Sequence, residues 1–309
     1  MIKLKRILSF LIIVVVVFTF GINCERISDS IIEYINKKPE LVILDDNGFK
    51  KDFDFKYIKN SDDYIPYNQK DLLEIFYTIL NMGWDEFTFY CPAEYLECVD
   101  DIRSLSGDRE LLDDLNNYVS SFNSYDTFRT LFDVNSGEVI IKVQYNYTKE
   151  EIKDISSKID EYIMNNINDT MSDEEKIRDF HDWIINRTKY DEVMAETEQS
   201  TYDSERIYGV LNDGYAICTG YASIMEVFLS KLDIPNYKIS SENHVWNAVY
   251  INDAWKHLDV TWDDPTTNTG EDMLTYDYFL VDNDVIVKDD DLNMREHSFD
   301  KNKFLEFNY

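Results

Sequence analysis

Basic side chains are scarce in this sequence: 30 Lys and Arg stand against 61 Asp and Glu, a formal net charge of −31 over 309 residues. A chain of that sign repels phosphate backbones and anionic headgroups, so neither nucleic acid nor an acidic lipid surface is an expected partner. Acidic residues are plentiful, yet the run Asp289-Asp290-Asp291 lacks the spaced ligands and glycine of a calcium loop. No metal and no cofactor is expected. Long apolar runs are nearly absent. The one from Ile7 to Ile22 has 16 residues, short of the about 20 that a spanning helix needs.

That run follows Lys3, Lys5 and Arg6, which is the pattern of an export signal with its basic end in the cytoplasm. Residues 1–24 are therefore expected to be a signal peptide or N-terminal anchor. Gly21-Ile22-Asn23 is a poor cleavage site, and Cys24 is preceded by residues that fit a lipid-attachment pattern badly. Cleavage, lipidation and retention all stay open. The expected location is secreted or on the outer face of the membrane, touching the bilayer only through this segment.

Aromatic residues are abundant, with 22 Tyr and 18 Phe in a chain that is 44% hydrophobic, which is ample for packed cores. The length beyond the leader suits two domains. Residues 25–147 read as a small α+β domain. Asn68 can cap a helix to Asn81 that Gly83 ends, Phe87–Tyr90 alternates like a strand, and Leu111–Phe122 looks helical. Thr127–Val134 and Glu138–Tyr147, around the turn Asn135-Ser136-Gly137, read as a hairpin. Cysteine is limited to Cys24, Cys91, Cys98 and Cys218. On one straight helix Cys91 and Cys98 would be too far apart to bridge, whereas a strand-to-helix turn at Pro92 would bring them nearer. A disulfide there is left open, and the pair reads as structural.

Residues 148–309 carry the chemistry. Thr148-x-x-Glu151 and Ser172-x-x-Glu175 are capping boxes that open two amphipathic helices. The second helix holds His181 in its apolar stripe, as a hydrogen-bonded core residue. The polar loop 192–206 is expected to be mobile and to flank a cleft. Next comes Asp213-Gly-Tyr-Ala-Ile-Cys218-Thr-Gly-Tyr-Ala222, running into Ile224, Met225, Val227, Phe228 and Leu229 at helical spacing. Cys218 then sits at a helix N-terminus, where unpaired N–H groups and the dipole stabilise negative charge on sulfur. Gly214 and Gly220 are expected to allow a tight turn and to keep side chains away from a substrate.

His244 and Asp259 follow in the order that a thiol nucleophile, its base and the group orienting that base require. The stretches 244–251 and 254–262 alternate like strands around Asn252-Asp253, a two-residue hairpin turn. Such a turn pairs Ile251 with Ala254, and puts His244 and Asp259 on one face, diagonally opposed and within side-chain reach. A one-residue slip would separate them. His257, on the same face, is the rival base. Tyr190 and Asn212 are candidate second donors to an oxyanion hole that the Cys218 N–H would begin.

Gly214-Tyr-Ala-Ile-Cys218-Thr-Gly-Tyr-Ala222, His244-Val-Trp-Asn247 and His257-Leu-Asp259-Val-Thr-Trp262-Asp-Asp-Pro265 resemble the transglutaminase-like superfamily of papain-like thiol enzymes, in its secreted bacterial form. The resemblance covers residues 172–265, with its three motifs in family order. It implies Cys218 as nucleophile, His244 as base and Asp259 as the residue holding the imidazole. It also implies an α+β fold with a transglutaminase-like core, the Cys-bearing helix packed on an antiparallel sheet, preceded by the small α+β domain. Members cross-link glutamine to lysine, hydrolyse peptide or amide bonds, or have lost activity. The expected function is thiol chemistry on the carboxamide or peptide bonds of a protein or peptide substrate at the cell envelope. The alternative is an inactive cell-surface binding module.

Overall fold

The computed structural model describes residues 41–134, 136–265, 273–287 and 296–307. The expected leader at 1–24, Asn135 of the hairpin turn and the acidic run at 289–291 lie outside the described residues. Asn68 accepts from the Lys70 and Asp71 N–H groups and starts helix α1 (Gln69–Met82), which Gly83 closes at φ +69°. Strand β1 (Glu86–Tyr90) follows. Cys91 and Cys98 are joined by a disulfide across a Cα–Cα distance of 5.9 Å, because Cys98 opens a new helix, α2 (Cys98–Gly107). Helix α3 (Arg109–Asn117) is shorter than the stretch expected to be helical. It stops at Asn117, and a 3₁₀ turn at Ser121–Asn123 takes over. Strands β2 (Tyr125–Asp133) and β3 (Glu138–Tyr145) form the expected hairpin, and β1 joins it to give the order β1-β3-β2.

Both capping boxes form, opening α4 (Lys149–Asn166) and α5 (Asp173–Ile185). Strand β4 (Lys189–Tyr190) pairs in parallel with β5 (Tyr215–Ala216). Between them, loop 192–206 is more ordered than its polarity suggests. It contains α6 (Glu192–Thr197), and the Asp191 carboxylate accepts from the Ser200 and Ser204 hydroxyls and the Met194 N–H. Helix α7 (Cys218–Lys231) then packs on the antiparallel sheet β6 (Asn236–Ser240), β7 (Val245–Ile251) and β8 (Ala254–Leu258). The turn has the predicted register, Ile251 opposite Ala254, because Asn252 and Asp253 both take positive φ, 52° and 60°. The strand expected at 276–281 is reduced to one bridge, His257 to Val281, before the short α8 (Asn283–Ile286).

The described residues from Leu44 onward form one compact unit, and the boundary expected at 147/148 falls inside it. Phe122 and Tyr147 share a buried cluster with Ile155, Phe180, Phe228 and Val249. The Phe180 and Phe228 rings stack at 3.9 Å, tying α5 to α7. Deleting either ring would cost about 3–5 kcal/mol.

Candidate active site

The turn before α7 explains where the thiol stands. Gly214 takes φ +71°, returning the chain so that Tyr215 and Ala216 pair with Lys189 and Tyr190. Ile217 is extended and supplies no side-chain cap, so no side chain closes off the N–H groups of the first helical turn. Cys218 is the first helical residue and is 9% exposed. Gly220 has a different purpose from the one expected. A Cβ there would come within 2.6 Å of the Ser204 carbonyl, which accepts the Ile217 N–H at 3.0 Å. The glycine makes room for the chain's own loop, not for a substrate.

His244 lies one residue before β7 and Asp259 one residue after β8, diagonal across the hairpin. His244 Nε2–H donates to Asp259 Oδ2 at 2.6 Å. That leaves Nδ1 as the ring nitrogen free to serve the Cys218 thiol, which is near enough to add to the proton affinity of the ring. Asn247 sets the spacing between sheet and helix: its amide donates to the Ala222 carbonyl of α7 at 2.9 Å. Tyr221 of α7 likewise donates to Asp264, beyond β8.

The electrostatics follow from burial and pairing. Burial alone would pull the His244 imidazole down. The Asp259 charge and hydrogen bond, aided by Cys218, outweigh it and lift His244 to about 10. Burial pushes Asp259 up, but His244 and His297 overcome that and hold its carboxyl well below the usual carboxylate range. Asp259 Oδ1 accepts the Thr261 and Trp262 N–H groups at 3.0 and 3.2 Å.

The rival base is elsewhere in chemical terms. His257 Nδ1 accepts the Trp246 indole N–H at 3.0 Å, its ring stacks on Phe307 at 3.9 Å, and burial drives it down to about 3. His181 bridges Asp182 and Asp263, buried in the core as expected. Asn212 is exposed and its side-chain oxygen accepts from Lys158. Tyr190 does border the site. It lines a cavity of about 370 Å³ with His244, Trp262, Asp264 and Glu296, and burial together with the Cys218 charge pushes its hydroxyl up to about 12. Larger hollows of about 890 and 810 Å³ contain none of the three candidate residues.

Sequence reasoning missed His297. Its Nε2 lies 2.8 Å from the same Asp259 oxygen, 38 residues away along the chain. The one available signal was scarcity: the chain has four histidines, and all four are buried. The donor atoms of His244, Asp259 and His297 lie within 4.8 Å of one another, close enough to share a cation, but hydrogen bonds fill that space.

The model of the Transglutaminase-like superfamily matches residues 160–260, a span that includes Cys218, His244 and Asp259. Kyphoscoliosis peptidase of Homo sapiens is 25% identical over 138 residues, and that of Mus musculus 26% over 141 residues. Each match takes in 40% of this chain and 21% of the relative, so the chain spans about a fifth of the length of these curated relatives. A solved TGase structure is 18% identical, with a TM-score of 0.33 over 50% of this chain and 47% of that one. What the chain shares with the transglutaminase-like superfamily is thus carried by residues 160–260, about a third of its length.

Proposed function

We propose that the protein is an exported thiol enzyme that acts on carboxamide or peptide bonds through a Cys218 thioester. The observation that carries this is the His244–Asp259 bond of 2.6 Å, whose imidazole feels the Cys218 thiol at the uncapped start of α7. In this reading His244, raised to about 10 by Asp259, holds the proton that the sulfur gives up as it attacks. The sulfur attacks the carbonyl carbon and a C–S bond forms. The C–N bond then breaks as His244 gives its proton to the leaving amine. Water or a second amine next attacks the thioester, His244 takes back a proton, and the acid or a new amide leaves. Backbone N–H groups at the start of α7 would meet the oxyanion, with Tyr190 positioned to add a donor. The Cys91–Cys98 disulfide supports an oxidising compartment, in keeping with the basic and apolar N-terminus. The substrate would be a protein or peptide at the cell envelope.

The test is mass spectrometry of the purified protein incubated with a glutamine-containing protein, with and without a primary amine. Amine incorporation, deamidation and chain cleavage have distinct mass signatures, and Cys218→Ala should abolish whichever is seen. Mass changes that survive in Cys218→Ala would overturn the proposal. The near-burial of the thiol favours one second reading, a binding module that keeps the fold without turnover. Cys218 inert to iodoacetamide would establish that reading instead.

A further inference from the structure

We propose that His297 is a positioning residue of this site, acting through Asp259 and completing a four-membered Cys218–His244–Asp259–His297 system. The inference rests on the thiol-enzyme reading above. A carboxylate only accepts hydrogen bonds, so the 2.8 Å contact fixes the hydrogen on His297 Nε2, pointing at Asp259 Oδ2. That oxygen then takes two imidazole N–H groups, and Oδ1 takes two backbone N–H groups. About four acceptor positions are all a carboxylate has. With all of them used, Asp259 cannot turn its oxygen off the His244 axis.

The surroundings of His297 argue that its polarity is there for this bond. The residue is 1% exposed, and Trp246, Trp262 and Tyr278 surround its ring with centroids 5.1–5.5 Å away. Nδ1 is buried without a hydrogen-bond partner among the described residues. An orphaned buried polar atom is costly, and a phenyl ring would fill the same aromatic box without one. The bond to Asp259 is the compensation. His297 also lies beyond residues 160–260, so the part of the chain matched to the superfamily does not contain the whole site.

The groups facing the Asp259–His244 pair are Cys218, Tyr190, His257, Asp263 and His297, and Asp264 and Glu296 line the cavity beside His244. Apart from His297, none of them supplies the second donor to Oδ2. Without His297 the carboxylate can rotate, the imidazolium loses support, and the thiolate beside it becomes less favoured.

The experiment compares wild type, His297→Phe, His297→Met and His297→Gln in the full chain. It follows the iodoacetamide labelling rate of Cys218 from pH 5 to 10, alongside thermal melting. Wild type should label rapidly at pH 6. Phe and Met fill the space without a donor, and should slow labelling at pH 6 and kcat about 10- to 100-fold while leaving KM unchanged. Their labelling profile should move toward the ordinary thiol range near about 8.5. Gln keeps an N–H donor and should restore most of the rate. Should Phe not fold, Met against Gln decides the matter. Wild-type rate and pH profile in a folded donor-free variant would overturn this inference alone. A wild-type Cys218 that labels at pH 6 no faster than a free thiol would overturn the thiol-enzyme reading beneath it.

Discussion

Two buried carboxylates in this molecule each stand between two nitrogen groups, and only one of them adjoins a thiol. Asp259 lies between His244 and His297. Glu226, on the third turn of α7, lies between Lys51 and Lys238. Both carboxylates are sealed from solvent, and each is held below the usual range by its nitrogen partners against the upward push of burial. Their partners differ. His244 is bonded directly to Asp259 at 2.6 Å and its affinity for a proton rises. Lys238 reaches the Ser121 and Ser124 hydroxyls at 3.5 and 3.4 Å, and burial pulls it down to about 8. Lys51, by contrast, meets Glu226 at 2.9 Å and also bonds Asn236. A buried charge cluster is therefore not in itself a site. The Glu226 cluster ties residue 51 and strand β6 to α7, while the Asp259 cluster holds an imidazole beside a thiol.

Breaking each carboxylate should separate the two roles. Asp259→Asn should cut turnover by on the order of 10⁴-fold, because an amide can present its N–H to His244 and impose the wrong tautomer; steady-state kinetics checks this. Glu226→Gln leaves Lys51 buried against a neutral partner and should cost about 3–5 kcal/mol of stability in chemical denaturation. Cys218 labelling in the protein that remains folded should not change. If the Glu226 variant instead lost low-pH labelling at full stability, the distinction between the clusters would collapse.

The cations should also carry opposite signs in the pH dependence of stability. His244 is raised from 6.5 to about 10, so its contribution is fully present below about pH 6.5 and is lost as pH rises through about 10. Lys238 is lowered from 10.5 to about 8. Between those values the unfolded chain binds more protons, so this residue adds stability as pH rises. Denaturation midpoints of Lys238→Met and wild type from pH 7 to 10.5 should show that rise removed in the variant. The smallest effect is expected at His257. His257→Gln keeps an acceptor for the Trp246 indole and should leave turnover unchanged. Unfolded His257 takes a proton near 6.5 and the folded residue near 3, so the variant should also lose less stability as pH falls across that window.

The predicted hairpin shows which features were legible. Asn252-Asp253 demanded a two-residue turn, the turn set Ile251 opposite Ala254, and alternation then placed His244 and Asp259 on one face. The capping boxes at Thr148 and Ser172 and the cap at Asn68 were equally readable, because each is closed by atoms three residues apart or fewer. The polar composition of loop 192–206 predicts a mobile segment, and composition carries no sign of the contacts that tie it down. Its order comes from Asp191 gathering two hydroxyls and an N–H, which depends on where the loop folds back. Gly220 was assigned to substrate clearance because the nearby Ser204 carbonyl is distant in sequence.

Alternation, capping and turn chemistry act over a few residues, so the order of residues alone was enough to specify the thiol at the head of α7 and the opposed imidazole and carboxylate across the hairpin. Which histidine would be turned into aromatic packing, and which would arrive as a second partner for Asp259, depended on how the elements stack. His257 is turned to Trp246 and Phe307, and His297 is delivered from a C-terminal segment by an aromatic box of Trp246, Trp262 and Tyr278. Contacts of that range are set by how whole elements stack against one another, and no local periodicity encodes them.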